Sequence, residues 1–134
     1  MTIITLQLIW IVLACLDGYL QAHYYSLYPS EKKHKNLHGW YVFQRAVVLG
    51  FMVNELSFSI TWGECGVFAF ASCFTYSFFH NGFYYMTRHK LDKEVYSKGF
   101  WDDSDSSSAL LNIGSIFRTA MMILGIIFII GLLI

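Results

Sequence analysis

Residues 109–134 read ALLNIGSIFRTAMMILGIIFIIGLLI, and Arg118 is the only charged side chain in this stretch. About 20 apolar residues are enough to cross the hydrocarbon core of a bilayer as an α-helix, because each residue adds about 1.5 Å. Three earlier stretches have a similar length and apolar character. The sequence therefore predicts an all-α, polytopic membrane protein with a single domain, residues 1–134. Its four transmembrane helices are expected at about 3–23, 38–57, 63–87 and 109–134.

The composition favours a membrane protein over a soluble domain. Of 134 residues, 56% are hydrophobic, 19% are aromatic and only 13% are charged. Soluble domains carry about 25% charged residues, and a chain with so few cannot cover a water-exposed surface with them. Nine basic and nine acidic residues cancel, so no net field attracts nucleic acid. The expected environment is the lipid bilayer, with no nucleic-acid partner.

The basic residues predict the orientation of the helices. Three lysines lie in the loop 24–37 and four basic residues lie in the loop 88–108, whereas both termini and the connection 54–64 have none. Loops rich in Lys and Arg remain in the cytoplasm. Both basic loops are therefore predicted to be cytoplasmic and both termini outside. The stretch MTIITLQ lacks the basic residues of a signal peptide, so the first helix is interpreted as a membrane anchor.

The two halves of the sequence share short similarities. FQRAVVLG at 43–50 and FRTAMMILG at 117–125 each place Phe, Arg and Ala before an apolar run that ends in Gly. HGWY at 38–41 and KGFW at 98–101 precede them. Two repeated helical hairpins are one interpretation of this pattern, and chance similarity between hydrophobic stretches is the other.

Four ionisable residues are predicted to form a structural polar layer near the cytoplasmic leaflet. Asp17 and Arg45 lie about 10 Å inside the cytoplasmic ends of their predicted helices, and His80 and Arg118 lie about 12–13 Å inside. An unpaired charge at the bilayer centre costs at least about 2.5–3.5 kcal/mol. We therefore expect all four to face the bundle interior, with the Asp17 carboxylate facing both arginines.

Two features near the fourth helix bear on this layer. Gly114, Ser115 and Gly125 share the face of Arg118, and small residues let a neighbouring helix approach closely. Helix packing and a functional polar cavity both remain open as the purpose of the layer. The stretch DDSDSSS at 102–108 is expected to cap the N-terminus of the fourth helix, because Ser and Asp are favoured at that position.

The chain resembles a loose family of small multi-span membrane proteins of unknown function that are often encoded by bacteriophages. The positions that carry the resemblance are Asp17, His38, Arg45, the run FHNGFYY at 79–85, Arg88, the loop YSKGFWDDSDSSSA at 96–109 and Arg118. The family more often has an acidic residue at the position of His80. Asn81 and Arg88 are the candidate binding residues. The resemblance implies a multi-span architecture and a viral or bacterial origin, and it implies no reaction.

Two classes of function fit these residues best. The first is a non-enzymatic membrane protein whose buried charges specify packing, with cytoplasmic loops that bind a membrane or cytoplasmic protein partner, or with self-association. A holin-like phage protein is a subtype of this class. The second is an interfacial enzyme that acts on lipid, with Asp17, His38 and His80 as candidate catalytic residues and Arg45 and Arg118 near the lipid phosphate.

Two further ideas rank lower. A transporter would need a polar path, and the outer halves of the second and fourth helices offer almost no polar side chains for one. Asp17, His38 and His80 form a conceivable two-His, one-carboxylate metal site. The sequence has no clustered histidine motif and no C-x-x-C spacing among its three cysteines, so neither a metal nor a cofactor is expected.

Overall fold

Four α-helices make up most of the chain in a computed structural model, which describes residues 2–27, 34–102 and 114–134. For residues 34–38 only the backbone is described. The helices are α1 (Ile3–Leu27), α2 (His34–Ser57), α3 (Trp62–Leu91) and α4 (Ser115–Gly131), and a short 3₁₀ helix (Gly99–Trp101) lies between α3 and α4. The described ranges contain no strand. The all-α prediction is confirmed.

The helices extend further into the basic loops than the hydrophobic pattern predicts. α1 ends at residue 27 rather than 23, α2 begins at 34 rather than 38, and α3 ends at 91 rather than 87. The length of an apolar stretch predicts only the part of a helix that is apolar. A helix satisfies its own backbone hydrogen bonds, so it can continue into the polar residues on either side. The first connection, 28–33, is therefore shorter than the predicted loop 24–37. The predicted start of the fourth helix at 109 is wrong, because α4 begins at Ser115 and the second connection spans 92–114.

The predicted cap of α4 is wrong for the part of DDSDSSS that is described. α4 begins at Ser115, and its N-cap residue is Gly114, which has no side chain to form a capping hydrogen bond. Asp102 is buried, and its carboxylate instead accepts a hydrogen bond of 3.0 Å from the backbone amide of Lys98. Residues 103–108 lie outside the described residues. By contrast, α3 has a full capping box, in which Thr61 and Glu64 satisfy each other's backbone amides.

Successive helices run in alternating directions around α3, which packs on the three others. Gln7 and Gly18 of α1 meet Thr75 and His80 of α3 respectively, so these two helices are parallel. Cys65 near the start of α3 contacts Val53 near the end of α2, so these two are antiparallel. It follows that α1 and α2 are also antiparallel to each other.

α4 is also antiparallel to α3, and it uses a different face of that helix from α1. Gly125 faces Ala71 near the start of α3, whereas Arg118 lies over Tyr85 near its end. α1 instead contacts Ser72 and Tyr76. Successive residues of a helix point about 100° apart, so the α1 and α4 sides of α3 are distinct.

Gly18 allows the closest approach between α1 and α3. A Cβ atom at this position would overlap the backbone carbonyl of His80 and would lie 3.1 Å from the amide nitrogen of Tyr84. Backbone atoms cannot move aside as a flexible side chain can. The absence of a side chain at Gly18 therefore brings Asp17, its neighbour, next to α3.

The outer surface of the bundle is apolar, and several polar side chains are buried. On α4, large apolar side chains such as Ile123 and Ile127 are exposed, whereas Arg118 is only 2% exposed. By length and composition, α1 is the one helix of the described ranges that is long and apolar enough to cross a membrane, and α4 is a shorter apolar helix. α1 is near the N-terminus, and it gives weak support for a membrane location.

We predict that Gly18→Ala destabilises the bundle by about 1–3 kcal/mol, because the added methyl group forces α1 away from α3. The control is Gly66→Ala on α3, where a Cβ atom meets nothing within 4 Å. Replacing an exposed helical glycine by alanine should raise stability by about 0.5–1 kcal/mol. Unfolding of the detergent-solubilised protein measures both variants, and equal stability of the two would contradict the close contact at Gly18.

Candidate functional site

The Asp17 carboxylate receives hydrogen bonds from three helices. Gln21, one turn later on α1, donates to Oδ1 over 3.0 Å. Arg45 of α2 donates to Oδ2 through Nη2 over 2.6 Å and through Nε over 2.9 Å. Tyr76 of α3 donates its hydroxyl to the same oxygen. The side chains of Asp17 and Arg45 are 22% and 25% exposed, so most of this ion pair is buried within the bundle.

His80 lies beside this ion pair. Its Nε2 is 3.1 Å from Nη2 of Arg45 and 3.7 Å from Oδ2 of Asp17. Its Nδ1 is 3.0 Å from Oδ1 of Asn81. A guanidinium group can only donate, so Nε2 must accept, and Nδ1–H then donates to the Asn81 oxygen. The neutral tautomer with its proton on Nδ1 satisfies both contacts.

Aromatic stacking completes the cluster. The Tyr76 ring stacks on the His80 ring at a centroid distance of 5.5 Å, and the Arg45 guanidinium lies 4.8 Å from the Tyr76 centroid. A cation over an aromatic face contributes about 0.5–2 kcal/mol. Tyr76 therefore holds Arg45 through its ring and Asp17 through its hydroxyl. We call Asp17, Arg45, Tyr76 and His80 the Asp17 cluster.

Arg118 does not contact Asp17, contrary to the expectation that the carboxylate faces both arginines. Its Nη2 donates to the backbone carbonyl of Asp102 over 3.0 Å, and its guanidinium lies 5.2 Å from the Tyr85 centroid. The reason is the position of α4, which packs on another face of α3. The structure thus brings together three members of the predicted layer and gives the fourth a different environment.

The segment 92–102 folds back along α3 and ends at Arg118. Tyr96 packs on Tyr85 at a centroid distance of 6.0 Å. Phe100 lies against Gly82, where a Cβ atom would overlap its ring, and 5.2 Å from Phe78. The segment therefore runs back alongside several turns of α3, and it contains no α-helix. Arg118 supplies a donor for the carbonyl group of Asp102 at its end.

A second polar network lies further along α1, and sequence reasoning missed it. Gln7 donates to the Thr75 hydroxyl over 2.6 Å and accepts from the Ser72 hydroxyl over 3.0 Å. The indole of Trp10 donates to the Ser72 carbonyl over 2.7 Å. The sequence signal for this network is the amide of Gln7 within the apolar run 3–14. The predicted polar layer contained only ionisable residues, so it did not include this amide. Both networks bind α1 to α3.

The two predicted binding residues also make contacts within the chain. Asn81 bonds to His80. The Arg88 guanidinium lies 4.8 Å from the Tyr96 centroid, so it packs on the segment 92–102. Neither residue faces the Asp17 carboxylate, and the structure does not join them into one binding site.

No protein-family model, curated protein or solved structure matches this chain. Among the described side chains, no group of three or more His, Cys, Asp or Glu is placed to hold a metal ion. Asp17 and His80 are close, but the His38 side chain lies outside the described residues. Arg45 occupies Oδ2 of Asp17, and a cation there competes with any metal.

The arrangement of the Asp17 cluster suits fixation of helices more than proton transfer. Oδ2 of the carboxylate accepts hydrogen bonds from Arg45 and Tyr76, whereas Oδ1 accepts a single one, from Gln21. A general base needs a free lone pair within hydrogen-bond reach of a substrate proton. His80 meets Arg45 and Asn81 through its two ring nitrogens. The described contacts therefore direct the polar groups at one another.

We predict that Arg118→Leu loosens the segment 92–102, because the segment loses the hydrogen bond from Arg118 to the Asp102 carbonyl and the contact of the guanidinium with the Tyr85 ring. A hydrogen bond of this kind contributes about 1–3 kcal/mol. Hydrogen exchange of the amides of residues 96–102 should become roughly 5- to 100-fold faster, while those of α1 remain unchanged. Arg118→Lys, which keeps one donor and the charge, should largely preserve protection. Unchanged exchange in Arg118→Leu would contradict this role.

Proposed function

We propose that the protein is a four-span integral membrane protein in which the Asp17 cluster fixes the helices and the two basic loops face the cytoplasm. Its function is non-enzymatic, and the cytoplasmic loops present a surface to a protein partner. The observation that carries the proposal is the distribution of side chains, since large apolar groups are exposed on all four described helices while Gln7, Gln21 and Arg118 are buried between helices.

The exposed apolar surface supports a bilayer around all four helices. Monomeric soluble proteins rarely expose contiguous apolar patches larger than a few hundred Å². Here exposed apolar side chains occur on every helix, with Leu16 on α1, Phe43 on α2, Phe70 on α3 and Ile127 on α4 as examples. A lipid environment removes the cost of this exposure.

The low apolar content of α3 is compatible with a membrane span. Its polar side chains Ser72, Thr75 and His80 are buried against neighbouring helices rather than exposed. Polar residues of membrane helices normally face the bundle interior and bond to one another. The mean hydropathy of a sequence window counts buried polar groups as if they faced lipid. It therefore underestimates how well an interior helix such as α3 can span a membrane.

The contacts of Asp17 support a structural role over lipid catalysis. Donors from α1, α2 and α3 converge on one carboxylate, and breaking such a set leaves a poorly compensated charge. The enzyme alternative retains one favourable observation, namely a groove between α1 and α2 that reaches Asp17 and Arg45. A reactive role would require Asp17 to exchange a helix contact for a substrate.

Cysteine accessibility tests the topology. In a background with Cys15, Cys65 and Cys73 replaced by alanine, we predict that Ser59→Cys reacts with a membrane-impermeant maleimide in intact cells. Lys93→Cys should react only after the membrane is permeabilised, because it lies in a basic cytoplasmic loop. Ser59 and Lys93 are both exposed, so each variant controls for the reactivity of the other.

Two results would contradict the proposed topology. One is labelling of Lys93→Cys in intact cells to the same extent as Ser59→Cys. The other is recovery of the protein in the soluble fraction after the membranes have been sedimented. Alkaline carbonate washing distinguishes an integral protein, which stays in the pellet, from one that is only adsorbed to the membrane surface.

A further inference from the structure

A groove of about 360 Å³ separates α1 from α2. This volume lies within the range of about 300–1,000 Å³ that is typical of ligand sites. The groove is lined by Trp10, Leu13, Leu16, Asp17, Leu20, Tyr41, Gln44, Arg45, Val48 and Tyr76. Most of these side chains are apolar or aromatic, and the Asp17–Arg45 ion pair supplies the charged groups.

The groove lies beside a part of α2 whose described side chains are largely exposed, whereas the second half of α2 packs closely. Met52 and Leu56 are buried in the hydrophobic core, with Val48 partly buried beside them. In the first half, the side chains of residues 42–44 are exposed, and Arg45 reaches across to α1. Helices α1 and α2 are thus joined by the ion pair across a gap that their side chains do not fill.

Arg45 leaves one donor group available to the groove. Its Nε and Nη2 bond to Asp17 and His80, whereas its Nη1 has no hydrogen-bond partner among the residues that the structure describes. A quarter of the side chain is exposed. In hydrocarbon, an unsatisfied donor costs several kcal/mol. An acceptor oxygen from outside the chain would remove this cost.

We propose that the groove binds one phospholipid molecule of the cytoplasmic leaflet. An acyl chain lies against Leu13 and Leu16, on the deeper side of the ion pair, and an ester oxygen, the lipid acceptor nearest the hydrocarbon, accepts a hydrogen bond from Nη1 of Arg45. The inference rests on the proposed membrane location. A phospholipid combines the two properties that the groove requires, namely an apolar chain for its walls and an anionic or carbonyl acceptor for the guanidinium.

Charge complementarity favours this occupant over a second protein chain. The Asp17 carboxylate already neutralises one side of Arg45, so the remaining site needs an acceptor rather than a strong base. A partner helix would have to insert an acceptor side chain at the same point. Phospholipids surround every membrane protein and present such oxygens at the interface without a further folding step.

Native mass spectrometry tests the proposal on the full chain, purified in mild detergent and exchanged into nanodiscs of phosphatidylglycerol and phosphatidylethanolamine. The test variant is Leu16→Trp, whose indole fills the groove. The matched control is Leu8→Trp on the same helix, which lies outside the groove. Leu16 and Leu8 are similarly exposed, at 52% and 58%, and Leu8 lines a separate pocket of about 340 Å³ that has no charged side chain in its lining.

The proposal predicts one retained phospholipid per chain in the wild type and in Leu8→Trp, and at least a tenfold lower occupancy in Leu16→Trp. Leu20→Trp, at a second lining position that is also exposed, should reproduce the loss even if Leu16→Trp folds poorly. Circular dichroism and elution volume check that each variant keeps its helices.

Three results would overturn the proposal. The first is an equal phospholipid occupancy in Leu8→Trp and in both groove variants, including no retention in any of them. The second is a bound free fatty acid in place of a phospholipid. The third is a dimer that the groove variants dissociate. A protein that stays in the membrane without retaining lipid would refute only this inference, whereas a soluble protein would refute the proposed function as well.

Discussion

The arrangement of the helices depends on the Asp17 carboxylate. The second half of α2 packs on the hydrophobic core, and in the first half Arg45 bonds to Asp17. The hydroxyl of Tyr76 ties the same oxygen to α3. In a medium of low dielectric constant an isolated charge is costly, whereas a pair that is also hydrogen-bonded is tolerated. One carboxylate thereby links three helices, and Gln7 and Trp10 provide further bonds between α1 and α3.

Arg45 and Arg118 donate hydrogen bonds to different kinds of acceptor. Arg45 is opposite a carboxylate, whereas Arg118 donates to the backbone carbonyl of Asp102 and lies over the Tyr85 ring. The difference follows from the segment 92–102, which folds back along α3 and brings a carbonyl group to α4. Buried backbone groups outside regular helices need hydrogen-bond partners. The Arg118 guanidinium supplies one for the Asp102 carbonyl.

The apolar pattern and the rarity of charge predicted the four helices but misplaced four of their ends by four to six residues, because apolar length does not determine where a helix begins or stops. The meeting of Asp17 with Arg45 followed from helix length and direction alone. The partner of Arg118 could not be found in this way, since a backbone carbonyl carries no sequence signal. Tyr76 was also missed as a donor, because one helical face offers several polar groups and spacing does not say which one reaches the carboxylate.

A double-mutant cycle between Asp17 and Arg45 is the most direct test of the Asp17 cluster as a helix clamp. The free energy of unfolding is measured in bilayers for Asp17→Ala, Arg45→Ala and the double variant. A clamp predicts a coupling energy of about 1–3 kcal/mol, whereas the parallel cycle between Asp17 and Arg118 should be additive within about 0.5 kcal/mol. Additivity of Asp17 with Arg45, or an equal coupling in both cycles, would contradict it.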